Sequence, residues 1–307
     1  MAGKLICLVT GAGSGFGALT VRALAKRGHT VFAGMRSLSP SNALAMEHLD
    51  SLKAFCAENK VHIEAVEQDV VSTESVNTSV RQVLARTGGR LDVVVHNAGH
   101  MVYGPAEAFT PEQLAEMYDV NTLGTQRLNR AVLPLMRKQK KGCLVWVGSS
   151  STWGAVPPFL GPYFAAKAGL DGMATTYQVE LSQFGIESTI ILPGAFTKGT
   201  EHFKTAGLPA DQDVLAAYRA PDSPYYGIED KALNGLAGLE PPDADASVVA
   251  EKIADVIEMP HGARPRRVYH DPADDGSETV SAVREQILKY RTEKIGIGEL
   301  LHVLKQS

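Results

Sequence analysis

At 307 residues the chain is long enough to bury a sizeable core, and 44% hydrophobic with 21% charged residues places it among folded globular proteins rather than disordered or fibrous ones. A formal charge of -4, from 30 Lys and Arg against 34 Asp and Glu, supplies no basic field, so neither nucleic acid nor a membrane surface is expected as a partner. No apolar run approaches the roughly 18–20 residues that span a bilayer, no leader precedes the first strand-like run, and Cys7, Cys56 and Cys143 are too scattered for a disulfide framework; a reducing, cytoplasmic setting is expected.

Short apolar runs alternate with longer helix-period segments, the pattern of βαβ units feeding a parallel sheet. Strands are predicted at 5–10, 30–35, 61–67, 91–96, 142–148, 186–192 and 266–270. The expected fold class is therefore α/β, a doubly wound, seven-stranded parallel, Rossmann-like sheet in a single domain. The first strand runs into Thr10-Gly11-Ala12-Gly13-Ser14-Gly15-Phe16-Gly17. Glycines there let the backbone turn tightly and approach a pyrophosphate, whose charge sits on the N-terminus of the next helix. The Gly-Lys-Ser/Thr ending of a triphosphate loop is missing, which disfavours ATP. Phe16, Leu19, Ala23 and Leu24 give that helix an apolar stripe, and Gly28 supplies a left-handed stop.

The second strand ends in Gly34-Met35-Arg36-Ser37. A dinucleotide fold that selects NAD carries an Asp or Glu there for the ribose 2′-hydroxyl. None is present. Arg36 instead offers a guanidinium fork to a 2′-phosphate, with Ser14 and Ser37 as hydroxyl donors, so NADP(H) is the expected cofactor. An acid placed at Gly34 is expected to turn the preference toward NADH. Asp69-Val70 follows the third strand and Asn97-Ala98-Gly99 the fourth.

Thr110-Pro111-Glu112-Gln113 combines an N-cap, a proline at the first helical position and a Gln three residues after the cap. It opens a helix expected over 111–139, with Pro134 as a kink and Asn121 inside. After the fifth strand come Ser149, Ser150 and Ser151, then a helix over 163–184 closed by Gly185. Tyr163 and Lys167 lie four residues apart on it and so share a face. A nearby ammonium favours the phenolate and draws a group of ordinary pKa ~10 toward the acid–base range.

Residues 194–245 are rich in Gly, Pro, Asp and aromatics with weak periodicity, and read as a substrate lid or a poorly ordered excursion. Val249, Ile253, Val256 and Ile257 restore a helical face. Residues 271–307 form a C-terminal helical extension whose helix, 277–294, carries Val280, Val283, Ile287 and Leu288. Without repeats or linkers, 1–270 reads as one catalytic domain including the lid. No His, Cys and carboxylate cluster is spaced for a metal.

These motifs resemble the short-chain dehydrogenase/reductase family in its compact single-domain branch. The family's Thr-Gly-x-x-x-Gly-x-Gly turn falls on Gly11, Gly15 and Gly17, and Phe16 is similar to its hydroxysteroid and retinol dehydrogenase side; the resemblance runs to about residue 200. It implies adenine contacts from Asp69 and Val70, and a floor for the cofactor ribose at Asn97, Ala98 and Gly99. His96, in place of the family's first Asn, reads as packing. Ser150, thirteen residues before Tyr163, is implied as the hydroxyl holding the substrate oxygen, with Ser149 as fallback. Asn121 is implied to bind a relay water for Lys167, which also bonds the nicotinamide ribose. Beyond Pro193 and Gly194, Phe196 and Thr197 are implied cofactor contacts. The family's carboxamide threonine is here Lys198, which leaves Thr197 or Thr200 to serve.

The activity so implied is hydride transfer between NADP(H) and a small-molecule carbonyl or secondary alcohol, with Tyr163 giving or taking the proton and carbonyl reduction as the expected direction. The alternatives are a dehydrogenase working oxidatively, on a hydroxysteroid or retinol-like alcohol, and an NADP-binding regulator without turnover. The resemblance also implies a homodimer or homotetramer through the two long helices.

Overall fold

The structure is a computed structural model that describes residues 3–304. Seven strands, β1 (Ile6–Val9), β2 (Thr30–Met35), β3 (Ile63–Glu67), β4 (Val93–His96), β5 (Gly142–Val147), β6 (Ile186–Pro193) and β7 (Arg267–His270), form one parallel sheet in the order β3-β2-β1-β4-β5-β6-β7. Every predicted strand is present, with ends within two residues of the expected ones. Their continuous apolar character follows from cover on both faces: β1, β4, β5 and β6 are buried along their whole length. On one face α1 (Gly15–Lys26), α2 (Ala43–Asn59) and α9 (Ser247–Glu258) contribute Leu24, Leu52 and Ile253 to the core. On the other, α3 (Thr73–Arg86), α5 (Gly124–Gln139) and α6 (Gly161–Glu180) contribute Val80, Leu128 and Leu170.

Winding reverses between β1 and β4, which pair directly with each other, so the loops leaving their carboxyl ends part and open a crevice. The first loop turns at Gly11, φ 61°, where a side chain would meet the Cα of Ala98 at 2.8 Å. Turn and fourth-strand loop are thus in backbone contact, and only glycine satisfies both the dihedral and the distance.

The helix expected over 111–139 starts as predicted. Thr110 and Gln113 complete a capping box at α4 (Pro111–Tyr118). Its irregularity, however, lies at Asp119–Leu123, a π-helical turn between α4 and α5, while α5 runs on through Pro134. The cause is Asn121, whose amide donates to the carbonyl of Met117 within the helix and to that of His100 outside it. Gly185, φ 69°, ends the helix-bearing segment that begins with α6, as expected.

Residues 194–245 are more regular than their composition suggests. They include α7 (Gln212–Arg219), capped by Asp211, and α8 (Ile228–Leu239). The Tyr103 hydroxyl donates to the Glu229 carbonyl at 2.6 Å, and Arg219 pairs with the Glu229 carboxylate at 2.8 Å. The helix of the extension, α10 (Ser277–Lys294), has the expected bounds and turns much of its apolar side outward. Ser277, Ser281 and Thr292 are buried, whereas Val280, Val283 and Ile287 are 43%, 53% and 58% exposed. Polar contacts decide this: Glu285 pairs with Arg266 at 2.9 Å and with Arg267, and the Arg284 guanidinium lies 3.1 Å from the centre of the Trp153 ring.

Candidate active site

Two adjoining hollows occupy the crevice, and they meet at Phe16, Asn97 and His202. The outer one, about 580 Å³, is reached by Ser14, Arg36, Ser37, Asp69 and Val70. The inner one, about 320 Å³, is reached by Ser149, Ser150, Tyr163, Lys167, Pro193 and Gly194, and its remaining wall is mostly apolar.

The outer hollow suits an elongated anion. Ser14 precedes α1 in extended conformation and its side chain makes no capping bond, so the first-turn N–H groups of α1 keep their affinity for a negative charge. Gly15, at φ 52°, has only the Thr200 side chain within 4 Å of where a Cβ would lie. Gly17 has another reason to be glycine: a Cβ there would lie 2.3 Å from the Gly11 carbonyl oxygen and 2.4 Å from the Asn97 amide. Gly17 therefore packs α1 onto the turn and does not line either hollow. Asn97 donates its amide to the carbonyls of Thr10 and Gly11, tying the ends of β1 and β4, and Ala98 and Gly99 line the outer hollow beside it. An acid at Gly34 would be crowded. Its Cβ would lie 2.5 Å from Gln68 Oε1 and 3.0 Å from the Val9 carbonyl oxygen.

In the inner hollow, α6 presents Tyr163, partly buried, and Lys167, buried. Burial pushes the Tyr163 phenol up to about 12, opposed by the Ser149 hydroxyl beside it. Burial lowers Lys167 to about 8. Its Nζ donates to the Val147 carbonyl at 2.9 Å and stands 5.9 Å from the centre of the Tyr163 ring. Within the chain's own groups, burial outweighs the Ser149 contribution and raises the phenol.

The structure also places three further expected contacts. Thirteen-residue spacing selects Ser150, and Ser150 lines the inner hollow together with Ser149, the fallback and first residue after Gly148 at the end of β5; the influence on the Tyr163 phenol comes from Ser149. Ser150 opens a 3-10 turn, where its carbonyl accepts from Trp153 and Gly154; the turn changes the register between strand and helix. Asn121 is buried, with both amide hydrogens committed to the carbonyls of His100 and Met117 and its oxygen accepting from the His100 N–H at 3.2 Å. Its amide holds the 97–100 loop against the helix, and with both amide hydrogens spent a relay water would have to bind to an oxygen of Asn121. Thr197 faces away, its N–H and hydroxyl both given to Glu240, while Thr200 and Phe196 line the inner hollow. His96 packs as expected, 2.9 Å from Asn129 Oδ1, with its ring against Trp146, and burial lowers it to about 4.

Sequence reasoning missed His48, Glu201 and His202 in the crevice, as well as Asp271 and Asp275, which the extension adds to the inner hollow. Their positions depend on packing between distant segments, and no local motif marks them. Among the described residues, no group of three or more His, Cys, Asp or Glu is placed to hold a metal, and no helix is long and apolar enough to cross a membrane.

The model of the short chain dehydrogenase family matches residues 5–208. The chain belongs to that family. It is 30% identical over 194 residues to the 3-ketodihydrosphingosine reductase of Bacteroides thetaiotaomicron, covering 63% of this chain and 65% of that protein. It is 36% identical over 193 residues to retinol dehydrogenase 16 of Mus musculus, covering 62% of this chain and 56% of that protein. These matches therefore span less than two thirds of either relative. Among solved structures, a short-chain dehydrogenase from Streptomyces avermitilis aligns with TM-score 0.72 and 27% identity over 95% of this chain and 98% of that one. An actinorhodin polyketide ketoreductase solved with NADPH aligns at 0.68 and 25%, over 87% of this chain and 95% of that one. The chain is thus an oxidoreductase of the short-chain dehydrogenase type.

Proposed function

We propose that the protein is an NADP(H)-dependent carbonyl reductase acting on a ketone with a substantial apolar body. One observation carries this reading: a protonated Tyr163, the Ser149 hydroxyl and the Lys167 amine converge in an apolar hollow that opens directly onto one bordered by Arg36. Bound NADPH supplies the hydride, and the chain supplies everything the substrate oxygen needs. Ser149 donates a hydrogen bond that strengthens as negative charge develops on that oxygen. Tyr163 donates the proton that converts it to a hydroxyl. Lys167, whose Nζ donates to the Val147 carbonyl, holds a positive charge near the phenol and would bond the ribose of a bound cofactor, while Asn121 positions the 97–100 loop. Val147, Leu160, Phe164, Phe196 and Phe203 exclude water and receive the body of the substrate.

For the nucleotide, the residues present fit a 2′-phosphorylated cofactor. Arg36 and Ser37 stand exposed at the outer hollow, no acid occupies the end of β2, and one placed at Gly34 would crowd Gln68 and the Val9 carbonyl. The ketoreductase solved with NADPH supports the same choice. Retinol dehydrogenase 16 gives the oxidative alternative its weight, since the same phenol removes a proton when the flow reverses. The test is a screen of NADPH and NADH consumption across ketones, aldehydes, quinones and steroids. Turnover with NADPH on bulky ketones is expected; NADPH binding without turnover on any of them would point to a regulator.

A further inference from the structure

The two hollows share Phe16, Asn97 and His202, and a ligand that spans both has to pass these side chains. A dinucleotide whose adenosine end lies toward Arg36 and whose hydride is delivered beside Tyr163 brings its nicotinamide to this meeting point. The one polar substituent of that ring is a carboxamide, with an oxygen that accepts and an NH2 that donates. Left unpaired against an apolar wall, the group loses the hydrogen bonds it had in water, and the ring keeps its freedom to turn about the bond to its ribose. A protein partner for the carboxamide therefore orients the hydride as well as binding the cofactor.

Of the three shared residues, Phe16 has no polar side-chain atom, and Asn97 spends its amide hydrogens on the Thr10 and Gly11 carbonyls, at 3.0 and 3.1 Å. The threonines of the segment after β6 are spent as well. Thr197 gives its N–H and its hydroxyl to Glu240, and the Thr200 hydroxyl donates to the Phe196 carbonyl at 3.0 Å, which leaves an oxygen that can only accept. His202 differs. Its ring is partly buried, 6.3 Å from that of Phe16, and makes no hydrogen bond among the described residues. Burial, with Lys167 and His100 close by, lowers the imidazole to about 4, so at neutral pH it carries one N–H and one bare nitrogen. The turn that bears it is held from within, since the Thr205 N–H and hydroxyl both reach the Glu201 carbonyl.

We infer that His202 donates a hydrogen bond to the carboxamide oxygen of the nicotinamide and so fixes the ring where the two hollows meet. The Thr200 oxygen is the acceptor left for the NH2 of the same group. The segment after β6 stays over the crevice when the cofactor binds, with Thr200 and Phe203 in the wall of the inner hollow. This rests on the nucleotide reading above, though not on its 2′-phosphate.

Calorimetry with two probes tests it, because NADPH carries the nicotinamide and adenosine 2′,5′-bisphosphate does not. His202→Phe keeps an aromatic ring against Phe16 without an N–H, and His202→Gln restores a donor. NADPH is expected to bind His202→Phe about three- to tenfold more weakly than wild type, the worth of one neutral hydrogen bond, and His202→Gln within about twofold of wild type. The bisphosphate is expected to bind all three proteins alike. Unchanged NADPH affinity in His202→Phe, or a His202→Gln variant as weak as His202→Phe, would overturn the assignment. An equal loss for the bisphosphate would overturn it too, by showing that the side chain supports the crevice and not the nicotinamide. If wild type binds the bisphosphate no more tightly than ADP, the NADP(H) reading falls instead, and NADH against ADP then decides His202 by the same comparison.

Discussion

Ser149→Ala and Ser150→Ala separate two hydroxyls that the spacing to Tyr163 alone cannot rank. Ser149 stands close enough to the phenol to lower its pKa and shares a 2.6 Å contact with the Ser151 hydroxyl, which places it to turn toward a substrate oxygen. Ser150 lines the same hollow, but the bonds it is seen to make are through its carbonyl, to Trp153 and Gly154, and alanine keeps them. Removing one preorganised donor to a developing oxyanion costs about 2.7–4 kcal/mol, or 10²–10³ in kcat. The loss appears in kcat more than in KM, because the ground-state carbonyl carries little of the charge. Ser149→Ala is therefore expected to lose about 10²–10³ in kcat, and Ser150→Ala less than about tenfold. Steady-state reduction of a ketone found in the screen, with nicotinamide absorbance as readout, decides between them. A Ser150→Ala variant as impaired as Ser149→Ala would show that the 3-10 turn rearranges around bound substrate and that the hydroxyl assignment is wrong.

Tyr163→Phe should abolish turnover while NADPH affinity, read by protein fluorescence, stays within about twofold, since the ring still packs and Lys167 still reaches the ribose; a substantially active variant would remove the phenol from the mechanism. Lys167 is lowered to about 8, so its ammonium is present below that pH and lost above it; kcat/KM for reduction should decline as pH rises through about 8, and in Lys167→Arg, whose guanidinium does not titrate there, the decline should vanish even if the overall rate is lower. Arg36→Ala should weaken NADPH by about tenfold, the low end for a charge-assisted bond at an exposed site, and leave NADH nearly unchanged; an unaltered ratio of the two affinities would displace Arg36 from the 2′-phosphate. Gly34→Asp is expected to lower the melting temperature rather than convert the enzyme to NADH, because its Cβ would be forced onto Gln68 and the Val9 carbonyl; a stable variant with NADH preference would show that β2 can shift to admit it.

The strands and the phosphate turn were legible because the signals that produce them are local. An apolar run of four to eight residues between helix-period segments has few ways to bury itself other than in a covered parallel sheet, and β1 through β7 follow that logic within two residues. Gly11 is readable for the same reason, since its positive φ is a property of the turn it makes. The extension shows where periodicity misleads. Val280, Val283 and Ile287 mark one side of α10 as apolar, but the choice of side was made by Arg266, Arg267 and Trp153, residues of other segments that its polar side could pair with.

The serines and His202 fail to show in the sequence for a different reason, which bears on how this site works. A spacing rule counts residues along the chain, whereas Tyr163 meets whichever hydroxyl the path from β5 to α6 delivers, and a single 3-10 turn at Ser150–Thr152 shifts that delivery by one residue. His202 and Phe16 come from a loop beyond β6 and the first turn of α1, and nothing near either of them in sequence hints at the other. The parts that follow from local rules, the turn of α1 and the Tyr163–Lys167 face of α6, are those needed to hold a dinucleotide and move a proton. The parts that do not, residues 198–205 with α7 and α8, stand over the same crevice and are joined to the body by polar contacts such as Tyr103 with Glu229. Such contacts are weak enough to let the segment settle on a ligand, which a packed apolar seam would not allow. In the proposed reductase, admission of substrate falls to the segment whose sequence constrains its position least.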